Sequence, residues 1–168
     1  MPADATTVRP ARPDDAEAVV AVATASWHAA YDEFLGPETV AATVEDWYDT
    51  ERLAASADDE QFAFPVAERG GAVVGFAFAG PDRDGDVAIL HRLYVHPDHW
   101  RAGIGGGLLG WTSVRLRERG CERLRLAVFA ANDVGVGFYE CEGFDRVAER
   151  AEQFDGETHR EYVYEKSL

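Results

Sequence analysis

Lysine, cysteine and long apolar runs are scarce in this chain. Lysine occurs once, at Lys166, although Lys and Arg together number 16. Cys121 and Cys141 are too few and too far apart for a disulfide framework or a metal cluster. No window reaches the roughly 18 apolar residues of a membrane span, and the start of the chain lacks the basic and apolar segments of a signal peptide. These absences predict a cytoplasmic protein with no metal and no membrane association.

Acidic residues dominate the charge of the chain. Asp and Glu number 31, which gives a net charge of -15. A nucleic-acid-binding face needs clustered Lys and Arg, so we expect no nucleic acid partner. A surface rich in carboxylates and poor in lysine is typical of proteins adapted to high salt, which screens the repulsion between carboxylates. We therefore expect a halophilic source, with an acidic partner-binding surface as the alternative.

The order of predicted elements indicates a single α/β domain. The 168 residues suit one domain, 1–168, with its core at about residues 6–167. A strand at Thr6–Arg9 precedes a helix capped by Asp14 or Asp15, and a second helix runs from about Pro37 to Ala57. The remaining patterns predict a hairpin turning at Gly70 and Gly71, strands at Asp86–Val95 and Arg123–Ala130, a helix from about Gly103, a short helix between Asn132 and Gly143, and terminal strands at Asp145–Arg150 and Arg160–Lys166. A mixed sheet with helices on both faces follows.

A glycine-rich loop, "HPDHWRAGIGGGLLGW", follows the predicted central strand. The first N–H groups of a helix have no partner within the helix, and its dipole leaves that end positive, so a helix beginning near Gly103 can bind an anion. Glycine lets a ligand approach the backbone closely. Leu108 follows the glycines, where a phosphate-binding P-loop needs lysine and a dinucleotide fingerprint needs a small residue. The loop therefore predicts a backbone anion site of another kind.

The segment "LYVHPDHWRAGIGGGLL" resembles the acetyl-coenzyme A loop of the GNAT N-acetyltransferase superfamily, whose pattern is Gln/Arg-x-x-Gly-x-Gly/Ala. Gly103 and Gly105 match the two glycines, and Val95 and Pro97 match the end of the preceding strand. Trp100 stands where the pattern has Gln or Arg, so a side-chain contact from that position is not implied.

A second segment, "NDVGVGFYECEGF", resembles the Asn-x(6)-Tyr-Glu-x-x-Gly-Phe pattern of the same superfamily. Asn132 matches the asparagine near the pantetheine, and Tyr139 matches the tyrosine that serves as general acid for the leaving thiolate. Gly143 and Phe144 match the turn into the next strand. The two motifs occur in the family's order and at its spacing.

The resemblance implies the GNAT fold, a mixed central sheet of about six to seven strands with helices on both faces and a splayed pair of parallel strands. It implies acetyl-coenzyme A as co-substrate, with the pantetheine between the splayed strands and the thioester carbonyl polarised by backbone N–H groups near Leu93 to Val95. The implied coenzyme-binding residues are Leu93, Tyr94, Val95, Arg101, Ala102, Gly103, Ile104, Gly105, Gly106, Asn132 and Tyr139.

The sequence offers His91 as the general base. Many family members carry Glu at the position that matches Ile89, and Ile cannot accept a proton. His91 lies two residues further, on the same face of a strand, and arylalkylamine acetyltransferases of the family carry His at the matching position. An ordinary pKa of about 6.5 suits a base at neutral pH. A histidine that only packs against its neighbours is the alternative.

Trp27, His28 and Tyr31 on the first predicted helix are the candidates for binding the acceptor. The resemblance places that helix on the acceptor side of the cleft, where aromatic side chains could contact an amine through cation–π interaction or simply pack in the core. We expect an acetyl-coenzyme A-dependent N-acetyltransferase that acts on a primary amine of a small molecule. A protein N-terminal or lysine acetyltransferase, or a non-catalytic acyl-coenzyme A sensor, is the alternative, and a homodimer stays open.

Overall fold

The computed structural model describes residues 5–83 and 85–168, which form one seven-stranded sheet and five α-helices. The strands are β1 (Thr6–Pro10), β2 (Pro65–Arg69), β3 (Ala72–Pro81), β4 (Val87–Val95), β5 (Arg123–Phe129), β6 (Asp145–Phe154) and β7 (Glu157–Ser167). The helices are α1 (Ala16–Leu35), α2 (Pro37–Trp47), α3 (Thr50–Ala57), α4 (Ile104–Glu118) and α5 (Asp133–Cys141). Among these residues, no helix is long and apolar enough to cross a membrane.

The sheet is mixed and opens in its middle. Its strand order is β1-β2-β3-β4-β5-β7-β6, and the β4–β5 pair is parallel. β4 pairs with β5 only through Val87–Ile89, opposite Arg123–Arg125, whereas β5 stays paired with β7 over its whole length. The rest of β4 therefore diverges from β5 and leaves a wedge-shaped opening, which we call the splay. The expectation of a mixed sheet with a splayed parallel pair is confirmed.

Helices cover both faces of the sheet. Helices α1, α2 and α3 cover one face, where buried side chains such as Val19, Val40 and Phe76 form one core cluster. Helices α4 and α5 cover the other face, where Leu108 and Leu124 belong to a second cluster. The splay thus lies between two helical layers.

Three predicted boundaries were wrong. The predicted second helix divides at Tyr48 into α2 and α3, because the Asp49 carboxylate accepts N–H bonds from Glu51 at 2.8 Å and Arg52 at 3.1 Å and so caps a new helix. The last two strands extend to Phe154 and from Glu157, because a two-residue turn joins them. That turn consists of Asp155 and Gly156, with φ of 50° and 79°.

Candidate active site

The amino end of α4 presents unpaired backbone donors. Gly103 caps the helix with φ of 78°, a conformation that glycine adopts without strain. The first bond of the helix runs from the Gly107 N–H to the Gly103 carbonyl at 3.1 Å. Within the described part of the chain, no group accepts from the N–H groups of residues 103–106. Together with the helix dipole, these donors fit the phosphate groups of a coenzyme.

The glycines of the loop meet different requirements. A Cβ at Gly105 would lie 3.0 Å from the Phe138 ring, and one at Gly106 would lie 3.2 Å from the Glu142 carboxylate. Nothing lies within 4 Å of the corresponding position at Gly103. Gly105 and Gly106 therefore allow α4 to approach α5, while Gly103 supplies the turn. The sequence interpretation, that Gly105 makes room for the ligand, missed this packing role.

Trp100 links the glycine-rich loop to the end of β4 through a hydrogen bond. Its indole Nε1 donates to the Val95 carbonyl at 2.7 Å, and the Ser26 hydroxyl donates to the same oxygen at 2.9 Å. His96 accepts the Asp98 N–H at 3.2 Å and so caps the short 3-10 turn of the loop. The residue that departs from the family pattern thus holds the loop in place through the strand end.

The backbone of β4 offers donors to the splay. The His96 N–H bonds to the Val74 carbonyl on β3 at 2.8 Å. Because successive residues of a strand direct their backbone groups to opposite edges, Leu93 and Val95 face the splay, whereas the Tyr94 backbone faces β3. Of the three residues predicted near the thioester, Leu93 and Val95 therefore direct their backbone groups to the splay, whereas the Tyr94 backbone pairs with β3.

Tyr139 is the buried phenol of α5. Its side chain is 9% exposed and packs against Phe138 and Phe144. Burial, and then the nearby Tyr31, raise the pKa of Tyr139 well above its usual range. No described residue hydrogen bonds to the Tyr139 hydroxyl, and this oxygen is not among the buried side-chain atoms that lack a partner, so it is open to solvent. Asn132 accepts the Gly135 N–H at 3.0 Å and caps α5, as its sequence pattern predicts.

Tyr31 and Tyr94 bring the first helix to the splay. Their hydroxyl oxygens lie 3.2 Å apart, and burial raises the pKa of both phenols. Trp27 packs edge to face on Tyr31 with centroids 4.7 Å apart. His28 instead lies 2.7 Å from Asp32 on the same helix, with its side chain 34% exposed. The structure thus brings two of the three acceptor candidates together with Tyr94. The Tyr94 hydroxyl was missed, although strand alternation opposite Leu93 could have indicated it.

His91 lies at a bulge in β4. The register changes there, so that Arg92 pairs with Phe78 and Leu90 pairs with Ala79, and His91 is the extra residue. The His91 ring centroid is 6.0 Å from that of Phe78, on the side of the sheet that carries α1. Removal from water, and then the Arg92 charge, lower the pKa of His91, while Asp82 raises it. His91 is exposed and lies two residues beyond Ile89, where β4 stops pairing with β5. Its lowered pKa leaves the imidazole neutral at neutral pH.

The sequence and the fold both match known acetyltransferases. The sequence model of the Acetyltransferase (GNAT) family matches residues 24–144. Acetyltransferases of Yersinia enterocolitica and Pectobacterium atrosepticum are each 38% identical over 77 residues, which is 46% of this chain and 53% of theirs. The chain therefore spans about half the length of these curated relatives.

Solved structures extend the match to the whole chain. The PaiA N-acetyltransferase of Thermoplasma acidophilum, solved in complex with coenzyme A, is 26% identical with a TM-score of 0.83, covering 98% of this chain and 99% of that one. The ribosomal-protein-S18-alanine N-acetyltransferase of Escherichia coli is 21% identical with a TM-score of 0.72, covering 97% and 94%, and shows the fold alone. The splayed sheet, the glycine loop and these matches lead to one conclusion: the chain belongs to the GNAT acetyltransferase family.

Proposed function

We propose that the protein transfers the acetyl group of acetyl-coenzyme A directly to a primary amine of a small molecule, within a ternary complex. The observation that carries this proposal is the splay of β4 from β5, because it lies between the free N–H groups of α4 and the buried phenol of Tyr139. Acetyl-coenzyme A supplies an activated thioester. The residues of the chain have to bind it, polarise its carbonyl, accept the proton of the amine and protonate the thiolate.

Backbone groups hold the coenzyme in this proposal. The N–H groups of residues 103–106 bind the pyrophosphate, and each hydrogen bond to a charged acceptor contributes about 1.5–3 kcal/mol. Arg101 and Ala102 are exposed beside these donors, and the Arg101 guanidinium adds positive charge. Leu93 and Val95 donate to groups within the splay, and Asn132 contacts the pantetheine. An acidic chain can thus bind an anionic ligand without lysine.

Tyr139 serves as the general acid. Its raised pKa keeps the phenol protonated at neutral pH, so that it can donate its proton to the departing thiolate, whose basicity the same removal from water raises. His91 serves as the general base, because its lowered pKa leaves the imidazole neutral at neutral pH. The amine approaches from the side of α1, where Trp27 and Tyr31 lie.

A small acceptor is favoured over a peptide. The Thr39 hydroxyl donates to the Asp155 carboxylate at 2.8 Å, which joins α2 to the β6–β7 turn across the acceptor side. An extended peptide would have to pass around this exposed contact or break it, which supports a small acceptor. Coenzyme A release should therefore be faster with small primary amines than with peptides that carry a free amino terminus or lysine. Faster release with peptides would favour the protein acetyltransferase alternative, and binding without release would favour the sensor.

A charge placed at the loop tests the coenzyme site. Ala102→Glu adds a carboxylate beside the free N–H groups without touching the core, since Ala102 is exposed. We expect the dissociation constant of coenzyme A to rise about tenfold at low salt, and less in molar KCl, because like charges repel and salt screens them. Ala151→Glu on the exposed strand β6 is the matched control. Equal affinities of the two variants in a calorimetric titration would show that the phosphates bind elsewhere.

The distribution of acidic residues supports adaptation to high salt. Asp15 is the one acidic residue among the buried side chains that the structure describes, and it pairs with Arg9 at 2.8 Å. The other described carboxylates are at least partly open to solvent. We propose a cytoplasmic protein of a salt-rich cell, and we expect its melting temperature to rise from low to molar KCl as repulsion is screened. A melting temperature that is constant or falls with salt would favour a surface for a cationic partner.

A further inference from the structure

Five aromatic side chains pack in a closed circle on the α1 side of the splay, and we call them the aromatic cluster. Their successive centroid distances are 4.7 Å from Tyr31 to Trp27, 5.4 Å to Trp47, 5.8 Å to Phe154, 5.7 Å to Phe129 and 5.6 Å back to Tyr31. Each pair meets edge to face, with interplanar angles between 76° and 88°. These side chains come from α1, α2, β5 and β6, so the aromatic cluster exists only in the folded chain.

Two members of the aromatic cluster are buried, and the other three form an edge that is open to solvent, which we call the rim. Trp27 and Tyr31 are 3% and 6% exposed, whereas Trp47 is 44% exposed and Phe129 and Phe154 are half-buried. Aromatic surface that stays open to water at the edge of a cleft is typical of a binding site. A folded core would bury Trp47, and nothing in the described chain covers it.

The aromatic cluster adjoins the proposed reaction site. Tyr31 belongs to the aromatic cluster, and its hydroxyl lies 3.2 Å from that of Tyr94 on the diverging part of β4. Phe129 is the last residue of β5, at the wide end of the splay. A group packed on the rim would therefore be attached to an amine that reaches past Tyr31 toward Tyr139.

Arg92 places a positive charge at one edge of the aromatic cluster. The Arg92 guanidinium lies 4.4 Å from the centroid of Tyr48 and donates to the Trp47 carbonyl at 3.2 Å. Tyr48 in turn accepts the Trp27 indole N–H at 3.2 Å. The Arg92 charge repels an ammonium group packed directly on Tyr48 or Trp47, whereas a neutral flat group packs on aromatic edges and faces at centroid distances of about 4.5–7 Å.

We propose that the aromatic cluster binds the flat, neutral body of the acceptor. The acceptor is then an arylalkylamine, which is a primary amine carried by a short alkyl chain on an aromatic group. This inference rests on the proposed function for the reaction itself. Binding of the aromatic body can nevertheless be measured without turnover, so the two can fail separately.

Calorimetric titration of 2-phenylethylamine into the protein saturated with coenzyme A tests the inference. We expect binding, and a dissociation constant about tenfold higher in Trp47→Leu and in Phe154→Leu, since each variant removes apolar contact area. The Arg92 contact survives in Trp47→Leu because it is made to the backbone carbonyl. Trp111→Leu on α4, across the sheet, is the matched control and should bind like the wild type. No binding, or equal binding in all four proteins, would overturn the inference.

Turnover separates the inference from the proposed function. With acetyl-coenzyme A, we expect kcat/KM for 2-phenylethylamine to exceed that for ethylamine by about tenfold or more, and the ratio to fall in Trp47→Leu and Phe154→Leu. Equal kcat/KM for both amines would show that the aromatic cluster is not a subsite and would leave the proposed function intact. Preference for 1,4-diaminobutane over both would also overturn the inference, because the rim would then hold a cation. Binding of 2-phenylethylamine with no acetylation of any amine would support the subsite and contradict the proposed function.

Discussion

Tyr139→Phe should lower kcat by about 10²–10⁴-fold, the range of a lost general acid. The substitution removes only the hydroxyl, and no described residue hydrogen bonds to it, so the fold loses no bond. The melting temperature should therefore stay close to that of the wild type. The affinity for coenzyme A should also be preserved, since the phenol acts only when the thiolate forms.

The control for this variant is Tyr162→Phe on β7. Tyr162 lies under the Arg146 guanidinium, with the charged carbon 3.8 Å from its ring centroid, and takes no part in the proposed chemistry. We expect steady-state rates of Tyr162→Phe equal to those of the wild type. If Tyr139→Phe turned over as fast as this control, solvent would have to protonate the thiolate, and the assignment of Tyr139 would be wrong.

His91→Ala should remove most of the rate together with the acid limb of the pH–rate profile. A general base must be deprotonated, so the wild-type rate at saturating coenzyme should rise with pH through the pKa of His91. Burial and Arg92 lower that pKa, so the midpoint of the limb should lie below about 6.5, the ordinary value for histidine. The amine must also lose a proton, which gives a second limb at higher pH that the variant retains.

pH–rate profiles of the wild type and of two variants, measured with the same acceptor, test whether His91 is the general base. His91→Gln serves as a second variant, because it keeps a polar side chain at the bulge but cannot accept a proton at these pH values. Both variants should lose the low-pH limb and show a rate lower by about 10²–10⁴-fold. If the profiles of wild type and variants shared that limb and differed little in height, His91 would only pack against Phe78, and the base would lie elsewhere.

Local signals made the coenzyme side of the fold predictable. The glycine loop, the cap at Asn132 and the turn at Gly143 each depend on residues close in sequence, and the structure has α4 and α5 where these signals indicate. The break between α2 and α3 was missed, because the apolar pattern continues through Tyr48 and only the Asp49 cap marks the boundary. The β4 bulge at His91 was also missed, since it arises from pairing with β3.

The acceptor side was less predictable, because distant segments build it. Trp27 and Tyr31 could be singled out by their helical spacing, but Phe129 and Phe154 join them from strands about a hundred residues further along the chain. The role of Gly105 likewise depends on Phe138, which belongs to another helix. The sequence shows which residue types are present, whereas the tertiary pairing decides which of them meet.

Direct detection of N-acetylated amine tests the proposed function most simply. The protein is incubated in molar KCl with acetyl-coenzyme A and a small primary amine, and both the acetylated amine and the free coenzyme thiol are measured over time. We predict one acetylated amine for each coenzyme A released, at a rate that depends on the amine and nearly vanishes in Tyr139→Phe. Tight binding of acetyl-coenzyme A without any acetylated amine, across small amines and peptides alike, would contradict the assignment as an acetyltransferase.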